Sequence, residues 1–151
     1  MKNIRKPFDK KLFDRYDKLA RDTIKKHIKC KDNKNIYDYD LCIEHNFFKG
    51  IEVEIIRIWG DRKLPFLDIP KGNTRLFDRK LKYDNTIIFI QLSNDLTKCC
   101  IFNKKMVCMD KNCTYKTKSG NLSYRVNNPI CIDTKDLTKK HKKIFNVLKL
   151  I

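Results

Sequence analysis

The sequence predicts an α+β fold, a single domain in which an N-terminal amphipathic helix packs on a small mixed β-sheet. Three observations carry that prediction. Apolar residues recur every three to four positions near the start of the chain. Several later segments alternate or run apolar over strand-like lengths. The 151 residues are 41% hydrophobic and 11% aromatic with only 4 Gly and 4 Pro, enough apolar material for one core without disulfide staples and too much for a disordered polycation.

Residues 8 to about 29 place Phe8, Leu12, Phe13, Tyr16, Leu19, Ala20, Ile24 and Ile28 on one helical stripe, with Pro7 suited to the first turn. The polar stretch 31–35 reads as a turn. Residues 36–44 then alternate Tyr37, Tyr39, Leu41 and Ile43 against Asp38, Asp40, Cys42 and Glu44, the period of a strand. A β-branched run at 51–59 predicts a second strand antiparallel to it, ending at Gly60. Asn73 is positioned to cap a short helix through 82, with Leu76, Phe77 and Leu81 turned inward. Residues 86–92 are almost continuously apolar, as in a buried strand, and Ser93-Asn94-Asp95 turns them toward another at 98–102. Short strands are expected at 106–109 and 122–126, and a helix over 136–151. The core-forming part is expected at about 8–102, with 103–151 as a C-terminal extension.

Charge narrows the choice of partner. Thirty-five Lys and Arg against 18 Asp and Glu give +17, and such self-repulsion is best tolerated beside a polyanion. Nucleic acid is the expected partner, DNA ahead of RNA, with binding that weakens steeply as salt rises. The cations expected on phosphates are Lys25 and Lys26 on the first helix, Arg75, and Lys116, Lys118 and Arg125, which surround Tyr115 and Tyr124 in an arrangement suited to stacking plus phosphate contact. No basic amphipathic helix with a bulky Trp-rich face points to a membrane surface, and no apolar run reaches the roughly 18 residues of a membrane span.

The seven cysteines are odd in number and no apolar signal segment follows Met1. An intracellular or virion location with reduced thiols is therefore expected, in cytoplasm or nucleus and not in the secretory route. No Cys-x-x-Cys pair exists, Cys99 and Cys100 are adjacent, and Cys108 and Cys113 lack a second pair at ligand spacing, so no zinc is expected.

The residues that suggest chemistry are acids. Glu52 and Glu54 lie two apart on a predicted strand and so point the same way, roughly 7 Å apart, and the hairpin partner brings Asp40 toward them. Ile56 and Ile58 continue the face, which puts the acids at the partly buried end of an apolar surface. Carboxylates held that close call for a cation. Magnesium, which takes one or two protein carboxylates plus waters and phosphate oxygens, fits such a set. It activates water and offsets charge on a scissile phosphate.

Helix, Asp-bearing strand, acid-pair strand, helix and further strands resembles the core order of the PD-(D/E)xK nuclease superfamily, the restriction-endonuclease-like fold. Asp40 stands where the family has its first metal-binding Asp, Glu52 at its acidic position, and Glu54 where most members carry a catalytic Lys. The resemblance implies a magnesium-dependent endonuclease with Asp40, Glu52 and Glu54 as metal-binding and water-activating residues. A substitute cation is then sought in the segment after the acid strand, where Lys71 is the first choice and Arg75 the second. A homodimer is the arrangement expected for cutting both strands of a duplex. The alternative is a noncatalytic basic nucleic-acid-binding or packaging protein, viral in type, whose charge does the work. Neither a Walker-type phosphate loop nor a nucleotide-binding glycine fingerprint is present, and no Gly-flanked Ser suggests an acyl-transfer nucleophile.

Overall fold

The computed structural model describes residues 10–57, 59–60, 74–118 and 120–151. Helix α1 spans Lys10–Lys25 and ends before Ile28, the last residue of the apolar stripe; Pro7 and Phe8 lie outside the described residues. Ala20 and Ile24 are fully buried on its inner face, and Ile28 is also buried although it follows the helix. The stripe thus marks contact with the core beyond the point where the helix ends.

Strand β1, Cys30–Asp32, occupies part of the stretch expected to be a turn. It pairs antiparallel with β2, Leu41–Ile43, in a register of Cys30 opposite Ile43 and Asp32 opposite Leu41. The expected strand over 36–44 contracts to β2 because its first half is a loop, with Ile36 and Tyr37 more than 80% exposed. That loop is shaped by side chains: Asn33 accepts from the Asn35 N–H, Asn35 from Tyr37 and Asp38 from Tyr39, the local bonding that lets Asn and Asp replace strand geometry with turns.

Strand β3, Gly50–Ile56, is antiparallel to β2, as predicted. Gly50 is needed there, since a Cβ would run into the Tyr39 ring and lie 2.6 Å from the Leu41 carbonyl oxygen. The helix expected over 73–82 is instead β4, Arg75–Phe77, followed by a 3-10 turn, Asp78–Lys82. Leu76 is buried, as the helical reading required, but by strand pairing with a distant segment, a case of tertiary context overriding local propensity. Asn73 lies outside the described residues.

Strand β5, Ile87–Ser93, is buried throughout and runs parallel to β3, with Glu52 opposite Phe89 and Glu54 opposite Gln91. The Asp95 carboxylate ties the turn into β6, Lys98–Phe102, by accepting from Ser93 Oγ and the Thr97 N–H. The strand expected at 106–109 is a 3-10 turn at Lys104–Met106 and a single bridge from Val107 to Val126. Beyond it lie β7, Thr114–Lys116, β8, Leu122–Arg125, β9, Ile130–Asp133, and α2, Leu137–Leu150. Among the described residues, a six-stranded mixed sheet has the order β1-β2-β3-β5-β6-β9, and a three-stranded sheet the order β4-β8-β7.

The result is an α+β domain with one principal core. Ile24 from α1, Ile51, Ile88 and Ile90 from the sheet, and Phe145 and Leu148 from α2 belong to a single buried cluster. Residues 103–151 therefore complete the large sheet with β9 and supply α2 to the same core. Trp59 is a buried plug packed with Cys100 and Ile56. Ile58 lies outside the described residues, so the apolar continuation of the acid face rests on Ile56. Cys108 and Cys113 are joined in a disulfide with Cα atoms 5.9 Å apart, a departure from the reduced state expected for every thiol. The 3-10 turn Lys111–Cys113 brings them together. Among the described residues, no helix is long and apolar enough to cross a membrane.

Candidate active site

The acids come together at the centre of the large sheet. Glu52 and Glu54 share one face of β3, and Lys80, carried by the 3-10 turn after β4, reaches both: its Nζ donates to Glu52 Oε1 at 2.8 Å and lies 3.9 Å from Glu54 Oε2. Gln91 stands opposite Glu54 in the parallel register, and its Nε2 donates to Glu54 Oε1 at 2.9 Å and to the Arg75 carbonyl at 2.8 Å. Asp40 immediately precedes β2, and its Oδ2 accepts the Val53 N–H at 2.9 Å, so a side chain replaces a strand partner where β2 begins. Glu52 Oε2 is buried and has no hydrogen-bond partner among the described residues.

Burial and mutual repulsion govern the protonation of this group. Burial pushes the Asp40 carboxyl up to about 7, the negative charge of Glu52 adds to the rise, and the Val53 N–H pulls the other way. Asp17 on α1 faces the same region. Burial raises its pKa even though Arg21 lies 3.3 Å away and Lys80 also favours its charged form. For Lys80, burial alone would favour the neutral amine, but Glu54, Glu52 and Asp40 together outweigh it and hold the ammonium above its usual range. Burial and the charges of Glu52 and Asp40 likewise raise the Tyr83 phenol. Four carboxyl groups, from α1, the start of β2 and β3, thus share the field of one largely buried lysine, which touches Glu52 and Glu54, in a protein of net charge +17.

No protein-family model matches the chain, and no similar curated protein or solved structure is found.

The predicted trio of Asp40, Glu52 and Glu54 does converge, but on Lys80. Among the described residues, no group of three or more His, Cys, Asp or Glu forms a ready cage for a metal ion. Lys71 lies outside the described residues. Arg75, the second choice for the cation, points elsewhere: its guanidinium sits over the Tyr115 ring, 5.1 Å from the centroid, and donates to the Cys113 carbonyl at 3.4 Å. Sequence reasoning missed Lys80, Gln91 and Asp17. Asp17 had a legible signal, an acid beside the apolar stripe between Tyr16 and Ala20. Lys80 and Gln91 had none, because a strand-plus-turn in place of a helix and a parallel pairing are both long-range outcomes.

The cations expected on phosphates are distributed unevenly. Lys25 is 2.6 Å from Asp32 Oδ2 and so is partly neutralised, while Lys26 is exposed. Arg75 and Arg125 are direct cross-strand partners in β4 and β8. Lys116 pairs with Leu122, on the opposite face of that sheet from Arg125, and Lys118 is exposed in the turn before β8. Tyr124 packs against the main core and its hydroxyl donates to Asp78 at 3.2 Å, whereas Tyr115 is half exposed.

Proposed function

We propose that the chain is a metal-dependent, nuclease-like hydrolase of DNA phosphodiester bonds built on a restriction-endonuclease-like core. The order α1, β1, β2, β3, β5, with β3 and β5 parallel, supports the resemblance to the PD-(D/E)xK superfamily, although the helix that the resemblance called for between them is, among the described residues, β4 and a 3-10 turn. Strand β1 adds a second strand between the helix and the acid pair, where the sequence had predicted one.

The observation that carries the reading is the buried Oε2 of Glu52, unpartnered among the described residues and set beside Asp40 and the Tyr83 phenol. A buried carboxylate oxygen without a donor is costly, and two carboxylates satisfy the protein share of a magnesium site. Asp40 and Glu52 are the residues that would hold the ion. When bound, a hard divalent cation supplies an activated water and offsets charge on a phosphate oxygen. The chain's own groups do the remaining work. Lys80 presents a permanent positive charge to a phosphate while holding Glu52 and Glu54 together. Gln91 fixes the Glu54 carboxylate by its amide. Asp40, titrating near neutrality, is suited to hold or release a proton.

Plasmid DNA incubated with the protein and Mg²⁺, beside a Glu52→Ala variant, tests this. Nicking or linearisation by the parent alone is expected. Intact plasmid with both proteins across neutral and alkaline pH, together with equal salt-sensitive binding, would leave a noncatalytic nucleic-acid-binding protein in its place.

A further inference from the structure

The outer face of the three-stranded sheet carries a second constellation. Cross-strand register puts Phe77 of β4, Ser123 of β8 and Tyr115 of β7 in one row, and Arg75 and Arg125 opposite each other in the next. Leu76 and Tyr124, on the other face, go into the core, so the Arg-bearing face turns away from that core, with Ser123 buried beneath its neighbours and Arg75 and Phe77 half-buried. Arg75 lies over the Tyr115 ring, and the Arg79 guanidinium is 4.9 Å from the Phe77 centroid. Tyr115 is 51% exposed, and Arg79 and Arg125 are exposed.

Like charges directly opposite on neighbouring strands are unfavourable. Among the described residues, no carboxylate lies within ion-pair distance of Arg75, Arg79 or Arg125. The nearest acid in sequence, Asp78, is engaged by Tyr124 on the opposite face. Three guanidinium groups without counter-charge among the described residues, set around two aromatic rings, suit an anion with flat apolar surfaces.

We propose that this face binds single-stranded nucleic acid, with phosphates on Arg75, Arg79 and Arg125 and bases stacked on Tyr115 and Phe77. A duplex offers the phosphates but keeps its bases within its own stack, so the aromatic half of the face favours a single strand. The face is wired to the acid cluster. Gln91 bonds both Glu54 and the Arg75 carbonyl, and β4 runs directly into the turn that carries Lys80. A strand lying along β4 is therefore led toward the acids. That delivery rests on the hydrolase reading, whereas the binding itself does not.

Fluorescence anisotropy with a labelled oligothymidylate and its duplex counterpart, in EDTA so that no cutting intervenes, tests the proposal. The full chain is expected to favour the single strand. Tyr115→Ala should weaken that binding about five- to a hundred-fold, while Tyr115→Phe, which keeps the ring, binds as the parent does. Arg125→Ala should flatten the slope of log affinity against log salt by about 0.7. Lys143→Ala, which removes the same charge from an exposed site on α2, should change binding little. Equal affinity for duplex and single strand, or Tyr115→Ala binding as well as Tyr115→Phe, would overturn the assignment. Strand-selective binding without any cutting would uphold it and remove the hydrolase reading alone.

Discussion

Replacing Asp40 with Asn should make the protein more stable at alkaline pH and leave it almost unchanged at acid pH. The Asn carboxamide oxygen can still accept the Val53 N–H that Asp40 accepts at 2.9 Å, but it cannot ionise beside Glu52. An aspartate in the unfolded chain titrates at about 3.8, and Asp40 in the fold at about 7, raised by burial and then by Glu52. Between those values the folded state keeps a proton that the unfolded state has lost. Stability therefore falls as pH rises through this window and stays low above it. At about 1.4 kcal/mol for each pH unit, the ceiling is about 4 kcal/mol. Relaxation around the buried charge reduces this, so a gain of about 2–4 kcal/mol is expected for Asp40→Asn at pH 8.5 and under about 0.5 kcal/mol at pH near 4. Urea unfolding in EDTA reads this directly, because Trp59 is the only tryptophan and is 1% exposed. A variant less stable than the parent at pH 8.5, or a difference independent of pH, would refute the account of Asp40 as a strained, repelled carboxyl.

Three further outcomes follow from the same geometry. Lys80→Met leaves buried Glu52 and half-buried Glu54 without their cation and should cost about 3–5 kcal/mol in urea unfolding at neutral pH; because the ammonium is held above its usual range, the parent's advantage should persist across neutral pH and fade only in strong alkali. Gly50→Ala sets a methyl 2.6 Å from the Leu41 carbonyl oxygen and should destabilise by about 1–3 kcal/mol, with hydrogen exchange quickened first in β2. Phe145→Ala removes a ring packed edge-on against Phe48 at 6.2 Å and should cost about 3–5 kcal/mol, lowering the thermal midpoint of the whole domain in one transition; loss of α2 alone while the sheet melted unchanged would contradict a shared core.

Local pattern made some of this protein legible in advance. The α1 stripe, the antiparallel β2–β3 hairpin, the buried run of β5, the turn into β6 and the final helix all depend on neighbours within a few residues of one another, so hydrophobic period and turn chemistry suffice to place them. The common face of Glu52 and Glu54 follows from strand geometry alone. Alternation misled at Ile36 and Tyr37, where Asn33, Asn35 and Asp38 bond to nearby backbone and convert an apparent strand into a loop.

Tertiary structure decided where the charge goes. Residues 73–82 read as a helix because their apolar spacing fits one, yet Arg75–Phe77 pairs with Leu122–Arg125, nearly fifty residues away, and that choice turns Lys80 onto the acids and Arg75 away from them. The parallel pairing of β3 with β5 brings Gln91 opposite Glu54, and the packing of α1 on the sheet brings Asp17 near Asp40. Composition pointed to a folding, strongly basic chain, and local pattern to a few acids at strand positions. Whether those acids stand apart or meet around one lysine depends on contacts between distant segments, whose free energy no local window of sequence contains.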